Sequence, residues 1–213
     1  MPSSANNPGA KSGTLFVVSA PSGAGKTSLL RALVDADSTL QQTITTTTRA
    51  PRDGEVDGVD YHFLSHREFK RRINAGEFLE YANVFGNLYG LTRDAVEPQL
   101  ARGEDVLVIL DVQGAATVKN QLPDDVVSIF ILPPSAAEMR QRLDIRGQND
   151  EADLQKRLLA ARSEFAEAVH YDYLLVNDDF LLALGNLMAV IRAERLVKNK
   201  PYLLTNLLPQ FIA

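Results

Sequence analysis

Short apolar runs separated by amphipathic stretches determine the architecture that this chain predicts. Four runs rich in Val, Ile, Leu and Phe are typical of buried parallel strands, and they span residues 14–19, 105–111, 126–132 and 173–176. Helical spacing of apolar residues occurs at 27–34, 92–101, 135–143, 152–169 and 179–198. Alternating strands and helices predict an α/β fold with a doubly wound parallel sheet, in which ligands bind beyond the carboxyl ends of the strands.

Two helix starts carry a capping box, in which a Ser is followed three residues later by a Glu. These pairs are Ser65 with Glu68 and Ser135 with Glu138. Thr92 is a further plausible N-cap residue, at the start of the predicted helix 92–101.

Two stretches interrupt the alternation of strands and helices. Residues 43–90 are rich in Thr, Gly, Asp, Arg and aromatic residues and have only short apolar runs, which predicts a small mixed subdomain inserted after the first helix. Residues 140–157 are polar and contain several arginines, which is typical of a mobile loop between two helices. The core of the predicted domain (13–200) then consists of 13–42, 91–139 and 158–200.

The two ends of the chain differ from this domain in composition. Residues 1–12 are a mixture of Pro, Ser, Asn, Ala and Gly, so we expect a disordered leader and no secretory signal. Residues 201–213 form an apolar tail that either packs on the core, the simpler expectation, or makes a subunit contact in a homo-oligomer.

Composition excludes several classes of function. The 213 residues contain no Cys, which removes disulfides, thiolate metal sites and thiol nucleophiles. The three histidines, His62, His66 and His170, form no spaced pair and are expected to be structural or surface residues. A net charge of −5 argues against a general nucleic-acid or anionic-membrane binder, and no apolar run is long enough to span a bilayer. A cytoplasmic location is therefore expected.

A phosphate-binding loop follows the first predicted strand and opens the first predicted helix. Residues 20–27 read Ala-Pro-Ser-Gly-Ala-Gly-Lys-Thr, which fits the P-loop pattern with Ala at the first glycine position. Gly23 and Gly25 allow backbone N–H groups to surround phosphate oxygens at a helix N-terminus. Lys26 can reach the β- and γ-phosphates, and the Thr27 hydroxyl can bind Mg²⁺. The sequence therefore predicts binding of a nucleoside triphosphate, with Ala20, Pro21, Ser22 and Ala24 completing the loop.

Two arginines lie three residues apart in the inserted stretch. Pro51 disfavours a helix at Ala50, so Arg49 and Arg52 are free to converge on a dianionic phosphate, with hydroxyl donors from Tyr61 and Tyr89. From these residues alone, an ordinary solvated loop is the better interpretation.

Several motifs, in order along the chain from about residue 13 to 195, resemble the guanylate kinase family. The resemblance is carried by the P-loop, by Thr-Thr-Arg-Ala-Pro-Arg-Asp-Gly-Glu at 47–55, Gly-Val-Asp-Tyr-His-Phe at 58–63, Glu-Phe-Leu-Glu-Tyr at 77–81, Phe-Gly-Asn-Leu-Tyr-Gly at 85–90, Asp-Val-Gln-Gly at 111–114, Pro-Pro-Ser at 133–135, Arg-Leu-Asp-Ile-Arg-Gly at 142–147 and Val-Asn-Asp-Asp at 176–179. It implies a P-loop core, a GMP-binding subdomain at 43–90 and a helical lid at 140–157. It also implies Mg²⁺-dependent transfer of the γ-phosphate of ATP to GMP or dGMP.

The resemblance also implies roles for particular residues. Asn177 would contact adenine, and Lys26 would act with the lid arginines Arg142, Arg146 and Arg157 on the triphosphate. Residues at the GMP site would hold the acceptor phosphate (Arg49, Arg52, Tyr61 and Tyr89) and read the base (Glu80, with Thr45, Gly90 and Asp111). A carboxylate suits guanine because guanine offers N–H donors at N1 and at the 2-amino group, whereas adenine has an acceptor at N1.

Three positions depart from the family pattern. Thr45 stands where a Ser is usual, Leu91 where a Ser or Thr normally contacts the base, and Ile109 where an acidic residue precedes Asp111 by two positions. Thr92, next to Leu91, is expected to be committed to the helix N-cap. These differences affect the expected details of guanine and Mg²⁺ binding.

Two other classes of function remain open from the sequence. The first is a guanylate-kinase-like module that binds phosphorylated peptides without catalysis, although such modules typically have degraded P-loops and lids. The second is a P-loop kinase for another nucleotide or a sugar phosphate, against which Glu80 and the arginine stretch both argue.

Overall fold

A computed structural model of the protein describes residues 12–84, 86–145 and 151–212. Residues 1–11 of the predicted disordered leader and the predicted lid residue Arg146 lie outside these ranges, whereas Ser12, the last residue of the predicted leader, is described and donates a hydrogen bond to Asp125 Oδ1 at 3.2 Å. Along the described chain the elements are β1 (Leu15–Ser19), α1 (Lys26–Ala36), β2 (Leu40–Gln42), β3 (Thr46–Thr47), β4 (His62–Phe63), α2 (His66–Asn74), β5 (Phe78–Val84), β6 (Asn87–Thr92), α3 (Glu97–Ala101), β7 (Asp105–Ile109), α4 (Val112–Gln121), β8 (Val126–Leu132), α5 (Ala136–Ile145), α6 (Glu151–Glu167), a 3₁₀ turn (Ala168–His170), β9 (Tyr173–Val176), α7 (Phe180–Asn206) and α8 (Pro209–Ile212).

The larger sheet contains five parallel strands in the order β2-β7-β1-β8-β9. Strand β1 is central and buried along its whole length, which explains its continuous apolar sequence. Alternate side chains of β1 point to opposite faces of the sheet. Phe16 and Val18 belong to the core cluster that contains residues of α1 and α7, and Leu15 and Val17 belong to the cluster that contains residues of α3 and α4. The predicted α/β class with a doubly wound parallel sheet is therefore confirmed.

The smaller sheet is built from residues 46–92, in the order β4-β3-β6-β5. Strands β3 and β4 are parallel, while the pairs β3–β6 and β5–β6 are antiparallel. Helix α2 packs on this sheet through Phe69, whose ring stacks on Phe78 with centroids 4.4 Å apart. Leu79 and Leu91 are buried in the same cluster as β1 and α4, so the small sheet is attached to the core.

The four predicted strands are confirmed, and those at 126–132 and 173–176 have the predicted bounds. Both capping boxes form, because Ser65 and Ser135 accept hydrogen bonds from the backbone N–H groups of Glu68 and Glu138. The first half of the predicted helix 92–101 is wrong. Thr92 ends β6, opposite Phe78, and α3 begins only at Glu97, so Thr92 is not a helix N-cap.

The predicted lid segment, residues 140–157, is helical where the structure describes it, in α5 up to Ile145 and in α6 from Glu151, so these residues do not form the expected loop. Helices α5 and α6 contact each other through a small cluster that contains the buried residues Met139 and Ala161, with Leu158 and Phe165 packed against them. Arg142 belongs to α5, but its side chain is not among those described, whereas Arg157 is half-buried on α6.

The C-terminal tail continues helix α7 through Pro201 and then forms α8. Its large apolar side chains do not pack on the core, contrary to the simpler expectation. They are exposed: Leu203, Leu204, Leu207, Leu208, Phe211 and Ile212. Among the described helices, none combines the length and the apolar character that a bilayer-crossing segment would need.

Candidate nucleotide-binding site

A cleft of about 420 Å³ lies beyond the carboxyl end of β1, between the two sheets. One wall is the P-loop, and the opposite wall comes from the small sheet and the start of α4. The predicted site residues that line the cleft are Ala20, Pro21, Ser22, Gly23, Ala24, Gly25, Lys26, Thr27, Thr45, Tyr61, Glu80, Tyr89 and Asp111. The cleft thus joins predicted site residues that are up to about ninety positions apart in sequence.

The P-loop backbone has the shape that phosphate binding requires. Gly23 and Gly25 adopt φ angles of 87° and 82°, which residues with a Cβ rarely adopt, and Gly25 is the N-cap residue of α1. The N-terminus of α1 therefore faces the cleft, where its N–H groups favour an anion. Asn177 is buried after β9 and donates from Nδ2 to the carbonyl oxygen of Ala24 at 2.7 Å, so it fixes this loop from behind.

Lys26 is a cation whose charged form is destabilised by burial and stabilised by nearby carboxylates. Burial lowers the pKa of its ammonium group, and the carboxylates of Glu164 and Asp111 oppose that effect. Glu164 lies on α6 and lines the same cleft, and its own pKa is raised by burial. Removing Lys26 from water is unfavourable unless an anion binds nearby, so the local electrostatics suit a phosphate group.

Glu80 and Asp111 form an acidic pair on the wall opposite the P-loop. Glu80 is only 6% exposed, and burial together with the nearby Asp111 raises the pKa of Glu80 to about 7. Asp111 is the N-cap residue of α4 and accepts a hydrogen bond from Gly114 N–H at 2.7 Å. A Cβ placed on Gly114 would lie 2.9 Å from Glu80 Oε2, so Gly114 leaves the space that the Glu80 carboxylate occupies.

Arg49 is held rigidly in the loop between β3 and β4. Its Nη2 group lies 2.8 Å from Glu55 Oε1, and its Nη1 group donates to the carbonyl oxygen of Ala50 at 2.8 Å. The guanidinium carbon also lies over the rings of Tyr61 and Phe63, at 5.4 Å and 5.9 Å from their centroids.

The aromatic residues connect Arg49 to the cleft. Tyr61 contacts Tyr89 edge-to-face with ring centroids 6.0 Å apart, and both tyrosines line the cleft. Tyr61 and Tyr89 thus link Arg49 to the cleft in front of the P-loop.

Among the predicted site residues whose side chains the structure describes, those outside the cleft lining are Arg49, Arg52, Gly90, Arg157 and Asn177. Arg52 is exposed on the loop, and Gly90 lies within β6, where a Cβ would approach the ring of Phe78 to 2.7 Å. Gly90 is therefore required by packing between β5 and β6. For every predicted site residue, contact with a nucleotide stays a prediction.

Glu164 and Glu55 are polar residues of the site that the sequence analysis missed. Glu164 follows Arg157 by seven residues, or two helical turns, so both lie on one face of α6. The spacing between Arg157 and Glu164 could therefore have identified Glu164 as a site residue from the sequence. Glu55 could have been singled out as the carboxylate that follows the arginine pair in the same short loop.

The described residues could bind Mg²⁺ through a single protein hydroxyl. Among the described residues, no group of three His, Asp or Glu side chains could hold a metal ion. Thr27, however, is an exposed residue at the start of α1 and lines the cleft. A single protein hydroxyl suits Mg²⁺, which keeps several waters and binds mainly to substrate phosphates.

A P-loop at the end of the central strand and a cleft closed by a second sheet define a P-loop kinase. The sequence comparisons specify the family: the model of "Guanylate kinase" matches residues 12–194. The chain belongs to the guanylate kinase family.

Similar proteins agree with this family assignment. The chain is 49% identical over 185 residues to the guanylate kinase of Idiomarina loihiensis, covering 86% of this chain and 88% of the relative. It is 51% identical over 188 residues to that of Alcanivorax borkumensis, covering 88% and 90%. The crystal structure of guanylate kinase from Anaplasma phagocytophilum superposes with a TM-score of 0.73 at 33% identity, covering 89% of each chain.

Proposed function

We propose that this protein transfers the γ-phosphate of ATP to GMP, and also to dGMP, giving ADP and the diphosphate. The reaction belongs to purine nucleotide metabolism and GMP recycling, and we place it in the cytoplasm. The observation that carries the proposal is the position of Glu80, a buried carboxylate on the cleft wall that faces the P-loop.

The Glu80 carboxylate would read the guanine base. It can accept hydrogen bonds from guanine N1–H and from the 2-amino group, whereas adenine presents an acceptor at N1 and has no 2-amino group. A buried carboxylate left without donors carries a large free-energy cost, so adenine would be rejected strongly. Thr45 and Asp111 line the cleft beside Glu80 and would assist, as would Gly90 through its backbone.

The acceptor phosphate would be bound by Arg49, Arg52, Tyr61 and Tyr89. Arginine is suited to this task because its planar guanidinium can donate two parallel hydrogen bonds to one phosphate. Arg49 lies against Tyr61, and Tyr61 lies against Tyr89, so these three groups form a connected patch on the small sheet.

The triphosphate would lie on the P-loop, with Lys26 at the β- and γ-phosphates and Asn177 on the adenine side. Mg²⁺ held at Thr27 would supply positive charge to the triphosphate. Arg142, Arg146 and Arg157 would complete the charge neutralisation from the lid segment, and closure of that segment would exclude water from the reaction.

No covalent protein intermediate and no strong general base are needed. The attacking atom is an oxygen of the GMP phosphate, which is already ionised at neutral pH. Catalysis would therefore depend on in-line positioning of the two phosphates and on stabilisation of spread negative charge.

An ADP-release assay with GMP, dGMP, AMP, CMP and UMP as acceptors tests the proposal. We expect GMP and dGMP to stimulate ADP release, and the other nucleotides to have little effect. Stimulation by none of the five would favour a non-catalytic phosphopeptide-binding module. Stimulation only by another acceptor would favour a kinase for a different small phosphate.

A further inference from the structure

A single carboxylate joins the two arginines of the acceptor loop. Glu55 Oε1 binds the Arg49 guanidinium at 2.8 Å, and Glu55 Oε2 accepts a hydrogen bond from the backbone N–H of Arg52, also at 2.8 Å. The backbone N–H of Glu55 in turn donates to the carbonyl oxygen of Arg52 at 3.0 Å. These bonds thus close the loop segment 49–55, which carries both arginines.

The ion pair between Glu55 and Arg49 is more buried than an ordinary surface ion pair. The side chains of Arg49 and Glu55 are only 14% and 19% exposed, whereas those of the pair Arg102–Glu104 are 57% and 42% exposed. Arg49 is also covered by the rings of Tyr61 and Phe63. Its guanidinium is therefore fixed in one position, with little of the rotamer freedom of a surface arginine.

The fixed guanidinium still has donors to offer. Two of its five N–H groups donate to Glu55 and to the carbonyl oxygen of Ala50, which leaves at most three for a ligand. The group of Arg49, Arg52 and Glu55 retains a net charge of +1, so it still attracts a phosphate dianion.

We propose that Glu55 is a positioning residue for the acceptor phosphate, which assembles Arg49 and the Arg52 turn before the substrate arrives. The inference rests on the proposed function, since it requires that these arginines bind the phosphate of GMP. Without Glu55 the loop and the Arg49 side chain would have to be ordered during binding, and this ordering reduces affinity by about tenfold. The favourable effect of this order exceeds the repulsion between Glu55 and the phosphate, because both carboxylate oxygens are already engaged by donors of the loop.

The test compares Glu55→Ala and Glu55→Gln with the wild-type enzyme. We expect Glu55→Ala to raise the KM for GMP about tenfold while the KM for ATP stays unchanged. Glu55→Gln keeps one acceptor oxygen for Arg49, so we expect a smaller increase, about threefold. The matched control is Glu104→Ala, which removes an exposed carboxylate from an ion pair with Arg102 and should leave both KM values unchanged.

Calorimetric binding of GMP and of guanosine separates positioning from a general structural role. A positioning role predicts weaker GMP binding in Glu55→Ala with unchanged guanosine binding, because guanosine has no phosphate. Equal loss for both ligands, or GMP binding as tight as wild type or tighter, would overturn the inference. If Glu55→Ala does not fold, Glu55→Gln provides the same comparison. A wild-type enzyme that binds no GMP would instead refute the proposed function.

Discussion

At the scale of single residues, the cleft holds charged groups at positions where burial opposes their charge, among them Lys26 and Glu80. Burial lowers the pKa of Lys26 and raises the pKa of Glu80 to about 7. Burial of a charged group costs free energy, and a bound ligand can offset this cost. Groups with perturbed pKa values therefore concentrate at functional sites. The two residues lie on opposite walls, which fits one anionic phosphate group and one base with N–H donors.

Replacement of Glu80 by Gln tests its proposed role in base recognition. We expect Glu80→Gln to lower kcat/KM for GMP about 100-fold, because an amide offers one acceptor where the carboxylate offers two. The KM for ATP should stay close to wild type. Steady-state kinetics with each substrate varied in turn measures this, and an equal rise in both KM values would contradict the assignment.

The pH dependence of the same residue follows from its raised pKa. The ionised carboxylate is the form that accepts from guanine, so kcat/KM for GMP should fall as the pH drops below about 7. Glu80→Gln has no such group and should lack this acidic limb. If kcat/KM for GMP falls at the same pH in Glu80→Gln as in the wild type, this fall is due to a different residue.

Protein stability should change in the opposite direction to activity. The folded-state pKa of Glu80 lies above the usual 4.5, so the folded protein binds this proton more tightly than the unfolded chain. Relative to Glu80→Gln, the wild type therefore loses stability as the pH rises from about 4.5 to about 7, by about 3 kcal/mol. Urea unfolding at pH 5 and pH 8 measures this difference, and a pH-independent difference would contradict it.

Lys26 provides the corresponding test on the P-loop wall. We expect Lys26→Ala to abolish turnover, with a loss of at least about 100-fold, because the cation contributes to transition-state charge stabilisation. GMP should still bind, since its proposed contacts come from the small sheet and from Asp111. Calorimetry measures that binding, and unchanged turnover would remove the P-loop assignment.

At the scale of elements, the start of α4 shapes the base-recognition wall. Asp111 caps this helix, and Gly114 in its first turn lies against the carboxylate of Glu80. Helix α4 is not predicted from its sequence, because its Gly, Ala, Thr, Asn and Gln residues give a weak apolar pattern. Glycine is required here by the nearby side chains of another element, which the local sequence does not reveal.

Addition of one methyl group at Gly114 should displace Glu80. The new Cβ would lie 2.9 Å from Glu80 Oε2 and 3.3 Å from Asp111 Oδ1, so we expect Gly114→Ala to raise the KM for GMP about tenfold. The matched control is Gly185→Ala in α7, where nothing lies within 4 Å. It should stabilise the protein by about 0.5–1 kcal/mol and leave the kinetics unchanged. Equal KM values for Gly114→Ala and wild type would show that the wall can adjust.

The elements also show what local patterns predict well. Strands 126–132 and 173–176 were predicted with correct bounds because both are apolar runs within the parallel sheet. Helix 92–101 was predicted too long, because pairing of Thr92 with Phe78 extends β6 into it. Strand β2 was missed, since it has three residues and only Leu40 is buried. Strand pairing is a long-range contact, so the pattern of one segment cannot show it.

At the scale of the whole molecule, the site depends on bringing the two sheets together. The P-loop was recognisable from its own residues, whereas the position of Glu80 opposite it depends on the packing of Leu79 and Leu91 into the main core. The net charge of −5 gives no indication of the cleft, because the cleft lining combines Lys26 with the acidic residues Glu80, Asp111 and Glu164. The family resemblance supplied the acceptor-site roles that composition and spacing left open.

Because both sheets line one cleft, we expect the two substrates to bind cooperatively. GMP on the small sheet and a non-hydrolysable ATP analogue on the P-loop should each stabilise the fold, by about 2.7 kcal/mol at a concentration of 100 Kd. Together they should raise the melting temperature by more than the sum of the separate shifts, because each ligand supplies surface against which the other wall closes. Thermal unfolding with each ligand and with both measures this, and AMP in place of GMP should give only the shift of the ATP analogue. Purely additive shifts would mean that the two walls bind their ligands independently.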